Sequence, residues 1–127
     1  MSCRTSLSSW QALSLKATAA KALHLTELFA DDDGRFDRFS LQCEGLLLDY
    51  SKNLITPEIM SELLKLAEEC ELEQWRDKMF SGSEINLTEG RAVLHTALRD
   101  RQGRHIQAEG ENVADLISAE LARMRSF

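Results

Sequence analysis

The first third of the chain carries a helical and then an alternating pattern of apolar residues. Apolar positions three or four residues apart predict a first helix with Ser8 or Ser9 as its N-cap; they are Trp10, Leu13, Ala17 and Ala20. A shorter helix with Leu28 and Phe29 is predicted after Thr26, and the run from residue 31 to Gly34 ends it. Apolar residues then alternate with polar ones on both sides of Gly45; they are Phe39, Leu41, Cys43, Leu46, Leu48 and Tyr50. This period of two predicts a short β-hairpin that a polar turn at residues 49–53 ends.

Thr56 and Pro57 form the clearest helix start in the chain, because Thr suits the N-cap and Pro the first helical position. The apolar face of the helix they begin consists of Ile59, Leu63, Leu66, Ala67 and Cys70. A further helix is indicated by Leu72, Trp75, Met79 and Phe80, and Gly82 is expected to stop it.

The last third predicts two more helices and one strand. Thr88 is expected to cap a helix that runs to about Arg99. A short strand is expected at residues 105–108, and a final helix from Asn112 carries Val113, Leu116, Ile117, Leu121 and Met124. The fold class predicted is mainly α with a short β-hairpin (α+β), and residues 1–127 are expected to form a single domain.

Charge and cysteine usage narrow the function classes. A net charge of −6 and scattered basic residues argue against a nucleic-acid partner. Neither a signal peptide nor an apolar run of about 20 residues is present, so no membrane partner is predicted. Three widely spaced cysteines are typical of a reducing, cytoplasmic compartment. Cys43 and Cys70 lie on predicted apolar faces and are expected to be buried, whereas Cys3 is expected to be exposed.

Candidate chemistry is sparse. Arg91, His95 and Arg99 are spaced to form one basic stripe on the predicted helix, which suits either an anion site for a sugar phosphate or a packed polar face. His24, His95 and His105 are too isolated to predict a metal site. Ser81 to Ser83 is interpreted as a turn, and no nucleotide-binding glycine pattern is found. The residues alone therefore assign no catalytic, cofactor-binding or metal-binding position.

Two longer segments carry a resemblance to a known family. Residues 49–53 read DYSKN, and residues 79–99 read MFSGSEINLTEGRAVLHTALR; both resemble the glucose-6-phosphate isomerase family. The pairs Leu28-Phe29 and Arg35-Phe36 resemble an early element of the same family. Ser83 departs from the family pattern, in which Glu is common at that position.

The resemblance implies interconversion of glucose 6-phosphate and fructose 6-phosphate through an enediolate, without a metal or organic cofactor. A carboxylate base, a histidine and a Ser/Thr-rich phosphate loop perform this chemistry in the family, and none of them can be placed on this sequence. Family members are far longer than 127 residues. The chain is thus expected to be the N-terminal helical part of such an enzyme, which packs on a sugar-isomerase (α/β) domain, supports a homodimer and is inactive alone.

Two other interpretations remain open. One is a free-standing helical protein-binding module derived from such a gene. The other is a complete small enzyme that uses Arg91, His95 and Arg99.

Overall fold

A computed structural model describes residues 4–100, 106–108 and 110–127. In these residues helices predominate and the strands form two short antiparallel pairs, which confirms the mainly α prediction with a β-hairpin. The chain divides into two compact units, Met1–Cys70 and Glu71–Phe127, each of which is described by itself. That residues 1–127 form a single domain stays a prediction.

The elements of the first unit are three helices, a hairpin and a fourth helix. They are α1 (Ser8–Ala20), α2 (Leu25–Ala30), α3 (Arg35–Arg38), β1 (Ser40–Cys43), β2 (Leu46–Asp49) and α4 (Pro57–Glu69), with a short 3-10 turn at Arg4–Ser6. Thr56 caps α4 as predicted, since its hydroxyl oxygen accepts from the Ile59 amide at 3.3 Å.

The start of α1 differs from the prediction that Ser8 or Ser9 is its N-cap. Leu7 occupies the N-cap position, and the hydroxyls of Ser8 and Ser9 both donate to the carboxylate of Glu69 at 2.5 Å. The amide of Ser9 also donates to that carboxylate, at 3.1 Å. A carboxylate at the end of α4 therefore satisfies the free amide end of α1, where negative charge is favoured.

The hairpin forms as predicted, with Leu41 opposite Leu48 and Cys43 opposite Leu46. Glu44 and Gly45 make the two-residue turn with positive φ values of 47° and 80°, as type I′ hairpin turns require. The prediction that Cys43 is buried is wrong, because its face of the hairpin is exposed. Cys70 was also expected to be buried and is only half-buried, while Cys3 lies outside the described residues.

Arg35 is the largest fully buried side chain of the described residues, with 2% exposure. Its guanidinium donates to three backbone carbonyls, those of Ser51 at 2.8 Å, Asn53 at 2.9 Å and Ile55 at 3.1 Å. The same group lies 4.8 Å from the centre of the Phe39 ring and 5.5 Å from that of Phe29. One arginine thus fixes the path of the chain from the hairpin to α4.

Asp49 closes the turn that follows the hairpin. Its carboxylate accepts from the amide of Ser51 at 3.0 Å, from the Ser51 hydroxyl at 2.6 Å and from the Lys52 ammonium at 2.8 Å. Lys52, and after it Ser51, lower the pKa of Asp49 from its usual 3.8 to about 2. The DYSKN segment therefore has a structural role in this unit.

The second unit contains α5 (Leu72–Ser81), a 3-10 turn at Ala97–Arg99, the short pair β3 (Gln107–Ala108) and β4 (Glu111–Asn112), and α6 (Val113–Ser126). Gly82 ends α5 with a φ of 82°, as predicted. Asn112 caps α6 by accepting from the Ala114 amide at 3.2 Å. The unit's buried apolar cluster is Ala97, Ile106 and Val113, with Leu94 and Ile117 packed against it.

The helix predicted from Thr88 to Arg99 is wrong. The side-chain oxygen of Asn86 accepts from the Glu89 amide at 3.3 Å, and its backbone amide donates to the Arg91 carbonyl at 3.0 Å. These bonds close a turn that contains Gly90 at a φ of 62°. The local bonds of Asn86 compete with helix formation. Within residues 88–99, only the 3-10 turn at Ala97–Arg99 is helical.

Candidate functional site

Arg91 and His95 line one cleft of the second unit, with a volume of about 480 Å³. Its polar side also includes Asn86 and Glu89. The apolar wall is formed by Ala92, Val93, Leu94, Leu98, Val113 and Ile117. The turn at residues 86–91 and the first half of α6 therefore position this cleft.

The charge of Arg91 is partly offset within the cleft. Its guanidinium lies 3.7 Å from the carboxylate of Glu89, which also accepts from the side-chain amide of Asn86 at 3.2 Å. Arg91 is largely exposed, so this ion pair contributes little to stability. His95, which lines the same cleft, is also exposed.

Arg99 lies in a different place from the other two members of the predicted stripe. It lines a second cleft of about 770 Å³ in the same unit, together with Asp100, Ser118 and Arg125. The single basic stripe of Arg91, His95 and Arg99 was therefore a wrong prediction, because the helix that was to carry it does not form. Sequence reasoning missed Arg125, whose only signal was a basic residue in the last turn of α6.

The other candidate residues do not gather at either cleft. His24 is exposed at the start of α2, and His105 lies outside the described residues. Ser81 bonds to the Lys78 carbonyl and pairs with the Ser83 hydroxyl, both at 3.0 Å, which confirms the turn. In the described part of the chain, no group of three or more His, Cys, Asp or Glu residues could hold a metal ion. No described helix is long and apolar enough to cross a membrane.

Thr96, between His95 and Ala97, adds one unpaired polar atom to this region. Its hydroxyl oxygen is buried and has no hydrogen-bond partner among the residues that the structure describes. A buried hydroxyl without a partner is unfavourable. The side chains that line the two clefts offer hydrogen-bonding groups and charge next to apolar walls, which suits packing against another protein surface or an anion. No described contact gives Arg91, His95 or Arg99 a catalytic role.

Comparisons with known proteins give a consistent result. Residues 49–127 match the family described as phosphoglucose isomerase. The whole chain is 51% identical to a glucose-6-phosphate isomerase of Pseudoalteromonas translucida and 50% identical to glucose-6-phosphate isomerase 1 of Colwellia psychrerythraea. A glucose-6-phosphate isomerase of Methylococcus capsulatus is 46% identical over 97% of the chain. The chain spans only 22–23% of the length of these relatives.

Proposed function

This chain belongs to the phosphoglucose isomerase family, and from that premise we propose that it is the N-terminal portion of a glucose-6-phosphate isomerase. The observation that carries the proposal is the match of all 127 residues, at 51% identity, to less than a quarter of one relative. The activity we propose for the whole enzyme is the interconversion of glucose 6-phosphate and fructose 6-phosphate in glycolysis and gluconeogenesis.

The role of this portion is structural support, and the remainder of the isomerase chain is its partner. Arg35 and Asp49 belong to the segments that resemble the family. Both bind the backbone of the turn after the hairpin, so their role is to fix that turn rather than to present a reactive group. Arg91 and Arg99 line different clefts, so they do not converge on one substrate phosphate. The sugar phosphate binds in the complete enzyme only, and the isolated chain is inactive.

Two further parts of the proposal concern assembly and location. The complete enzyme is a homodimer, to which this portion contributes contacts. It works in the cytoplasm, where three widely spaced cysteines stay reduced. Neither a metal nor an organic cofactor takes part in the reaction we propose.

The experiment that tests the proposal is a coupled assay of isomerisation on two proteins. The first is the isolated chain, for which we expect no turnover. The second is a chimera in which this chain replaces the matching 23% of the Pseudoalteromonas translucida enzyme. We expect the chimera to retain activity within about tenfold of its parent, a difference of about 1.4 kcal/mol in the activation barrier.

Two outcomes would contradict the proposal. An inactive, unassembled chimera would favour the free-standing helical module. Turnover by the isolated chain that His95→Ala abolishes, while the matched surface change His24→Ala does not, would favour a complete small enzyme.

A further inference from the structure

The two ends of the β1–β2 hairpin differ in how well one face is covered. At the base, Phe39 is 2% exposed and its ring forms a T-shaped contact with the Tyr50 ring, with 6.0 Å between centroids. Further along the same face lie two cross-strand pairs, Leu41 with Leu48 and Cys43 with Leu46. Leu41 is 61% exposed, Leu48 60% and Leu46 77%. We call these four residues the distal hairpin face.

The other face of the hairpin is mainly polar. Because side chains alternate along a strand, it carries Ser40, Gln42, Leu47 and Asp49. An antiparallel pair with one apolar and one polar face normally packs its apolar face on a core. A two-stranded hairpin is also only marginally stable in water by itself. An exposed apolar face of this kind is typical of a protein interaction surface.

We propose that the distal hairpin face is the docking surface for an apolar patch on the remaining part of the isomerase polypeptide, an inference that rests on the function proposed above. More than three quarters of each relative's length lies outside the segment this chain matches. The distal hairpin face carries no charged side chain. The buried core of a protein interface is depleted of charged residues, and permanent interfaces are the more hydrophobic class.

The size of the surface argues against a second copy of this chain as its occupant. Three leucines and one cysteine offer on the order of 300 Å² of apolar area. A stable interface between separate proteins needs about 800 Å² on each partner. A contact within one polypeptide needs less area, because the covalent connection raises the effective concentration of the two surfaces.

Cys43 provides a native probe of this docking. Cys43 is exposed and lies at the turn end of the distal hairpin face, opposite Leu46 and next to the Leu41–Leu48 pair. The experiment measures the rate of iodoacetamide modification of Cys43, by mass spectrometry of its peptide, in the isolated chain and in the active chimera described above. We expect modification to be about tenfold or more slower in the chimera, because the thiol then reacts only after local opening.

Two leucine variants of the chimera give a matched comparison. Leu48→Glu places a charge on the distal hairpin face, and Leu47→Glu places the same charge on the opposite face of the same strand, at nearly equal exposure of 60% and 58%. We expect Leu48→Glu to restore fast modification of Cys43 and Leu47→Glu to leave it slow. Equal effects of the two variants would overturn the proposal.

Other results separate the possible failures. Fast modification of Cys43 in an active chimera would disprove docking by this face while leaving the proposed function intact. An inactive and unassembled chimera would remove the proposed function itself. Protection of Cys43 in the isolated chain that increases with protein concentration and disappears in Leu48→Glu would show a second copy as the occupant, and would overturn the proposal.

Discussion

The two units of this chain bury different kinds of side chains. Of the described residues in the first unit, the buried ones are Ser9, Arg35, Phe39 and Ser51, of which three are polar or charged. Those of the second unit are Ala97, Ile106 and Val113, all apolar. The first unit is therefore held by directional bonds to specific atoms, and the second by a small volume of close-packed side chains.

This difference teaches where each unit is sensitive to substitution. Loss of a polar anchor leaves buried carbonyls without donors, whereas loss of apolar contact leaves a cavity or a steric conflict. The chain offers a separate probe for each unit, since Trp10 lies in the first and Trp75 in the second. Fluorescence of a Trp75→Phe background reports the first unit, and that of a Trp10→Phe background reports the second.

The largest effect is expected from Arg35→Met. The change removes three hydrogen bonds to the carbonyls of Ser51, Asn53 and Ile55. We expect the free energy of unfolding of the first unit to fall by about 3 kcal/mol or more, because these acceptors lose their donor in a buried place. Urea titration followed by Trp10 fluorescence measures the loss.

Arg38→Met is the control for that prediction. Arg38 lies one turn further along α3, is 55% exposed and pairs with Asp32 at 3.2 Å. An exposed ion pair is worth about 0–1 kcal/mol, so a small effect is expected. If both variants lost the same stability, the buried arginine would not be the anchor of the first unit.

In the second unit, Gly82→Ala is expected to cost about 2–3 kcal/mol. A Cβ atom at Gly82 would lie 2.7 Å from the Ile106 side chain, and the φ of 82° already disfavours an L-residue. Gly90→Ala is the matched control, since its φ of 62° carries a similar penalty but nothing lies within 4 Å of the new atom. Gly90→Ala should cost only about 1–2 kcal/mol. Urea titration by Trp75 fluorescence compares the two; equal losses would show that Ile106 yields to the methyl group.

A smaller effect is expected from the pH dependence of the first unit. Hydrogen bonds from Ser8 and then Ser9 lower the pKa of Glu69 below its usual 4.5, and the pKa of Asp49 is lowered to about 2. Each folded pKa is below the unfolded one, so the stabilisation is complete above about pH 5 and is lost as pH falls towards 2. Acid titration by Trp10 fluorescence should show this loss.

Glu69→Gln sharpens the pH prediction. The variant should be less stable at neutral pH and should show a shallower loss of stability as pH falls below 5, because one of the carboxyl groups with a lowered pKa is gone. Glu68→Gln, the neighbouring exposed glutamate, is the control and should leave both properties unchanged. An unchanged acid profile for Glu69→Gln would mean that its bonds to Ser8 and Ser9 do not form in solution.

Features that depend on neighbouring residues were predictable from the sequence. The caps at Thr56, Gly82 and Asn112 and the hairpin turn at Gly45 all rest on bonds or φ values within a few positions. The helix predicted from Thr88 failed although its apolar spacing was correct. The turn that forms in its place is also local, since Asn86 and Gly90 close it. The spacing of apolar residues does not predict this turn, because neither Asn86 nor Gly90 belongs to the apolar pattern.

Features that depend on distant residues could not be predicted. Glu69 replaces the expected caps of α1 from 60 positions away. The acceptors of Arg35 are backbone carbonyls, which every residue has, so no residue type marks them. The exposure of Cys43 has the same origin, because alternation predicts an apolar face and not what covers it. The prediction of a single basic stripe of Arg91, His95 and Arg99 was wrong because the helix predicted from Thr88 does not form.

The smallest effects are expected from the two N-caps, one in each unit. Thr56→Ala removes the acceptor of the Ile59 amide, and Asn112→Ala removes that of the Ala114 amide. Each should lower the free energy of unfolding by about 1 kcal/mol. The two tryptophans should separate the effects on the two units. Thr56→Ala should shift the unfolding transition reported by Trp10 more, and Asn112→Ala the transition reported by Trp75.

Thr56→Ala should also return the pKa of Glu58 towards its usual value, because the Thr56 hydroxyl is the first cause of its lowering. If both variants moved both transitions equally, the units would unfold together, and the contrast between polar and apolar anchoring would describe one cooperative structure.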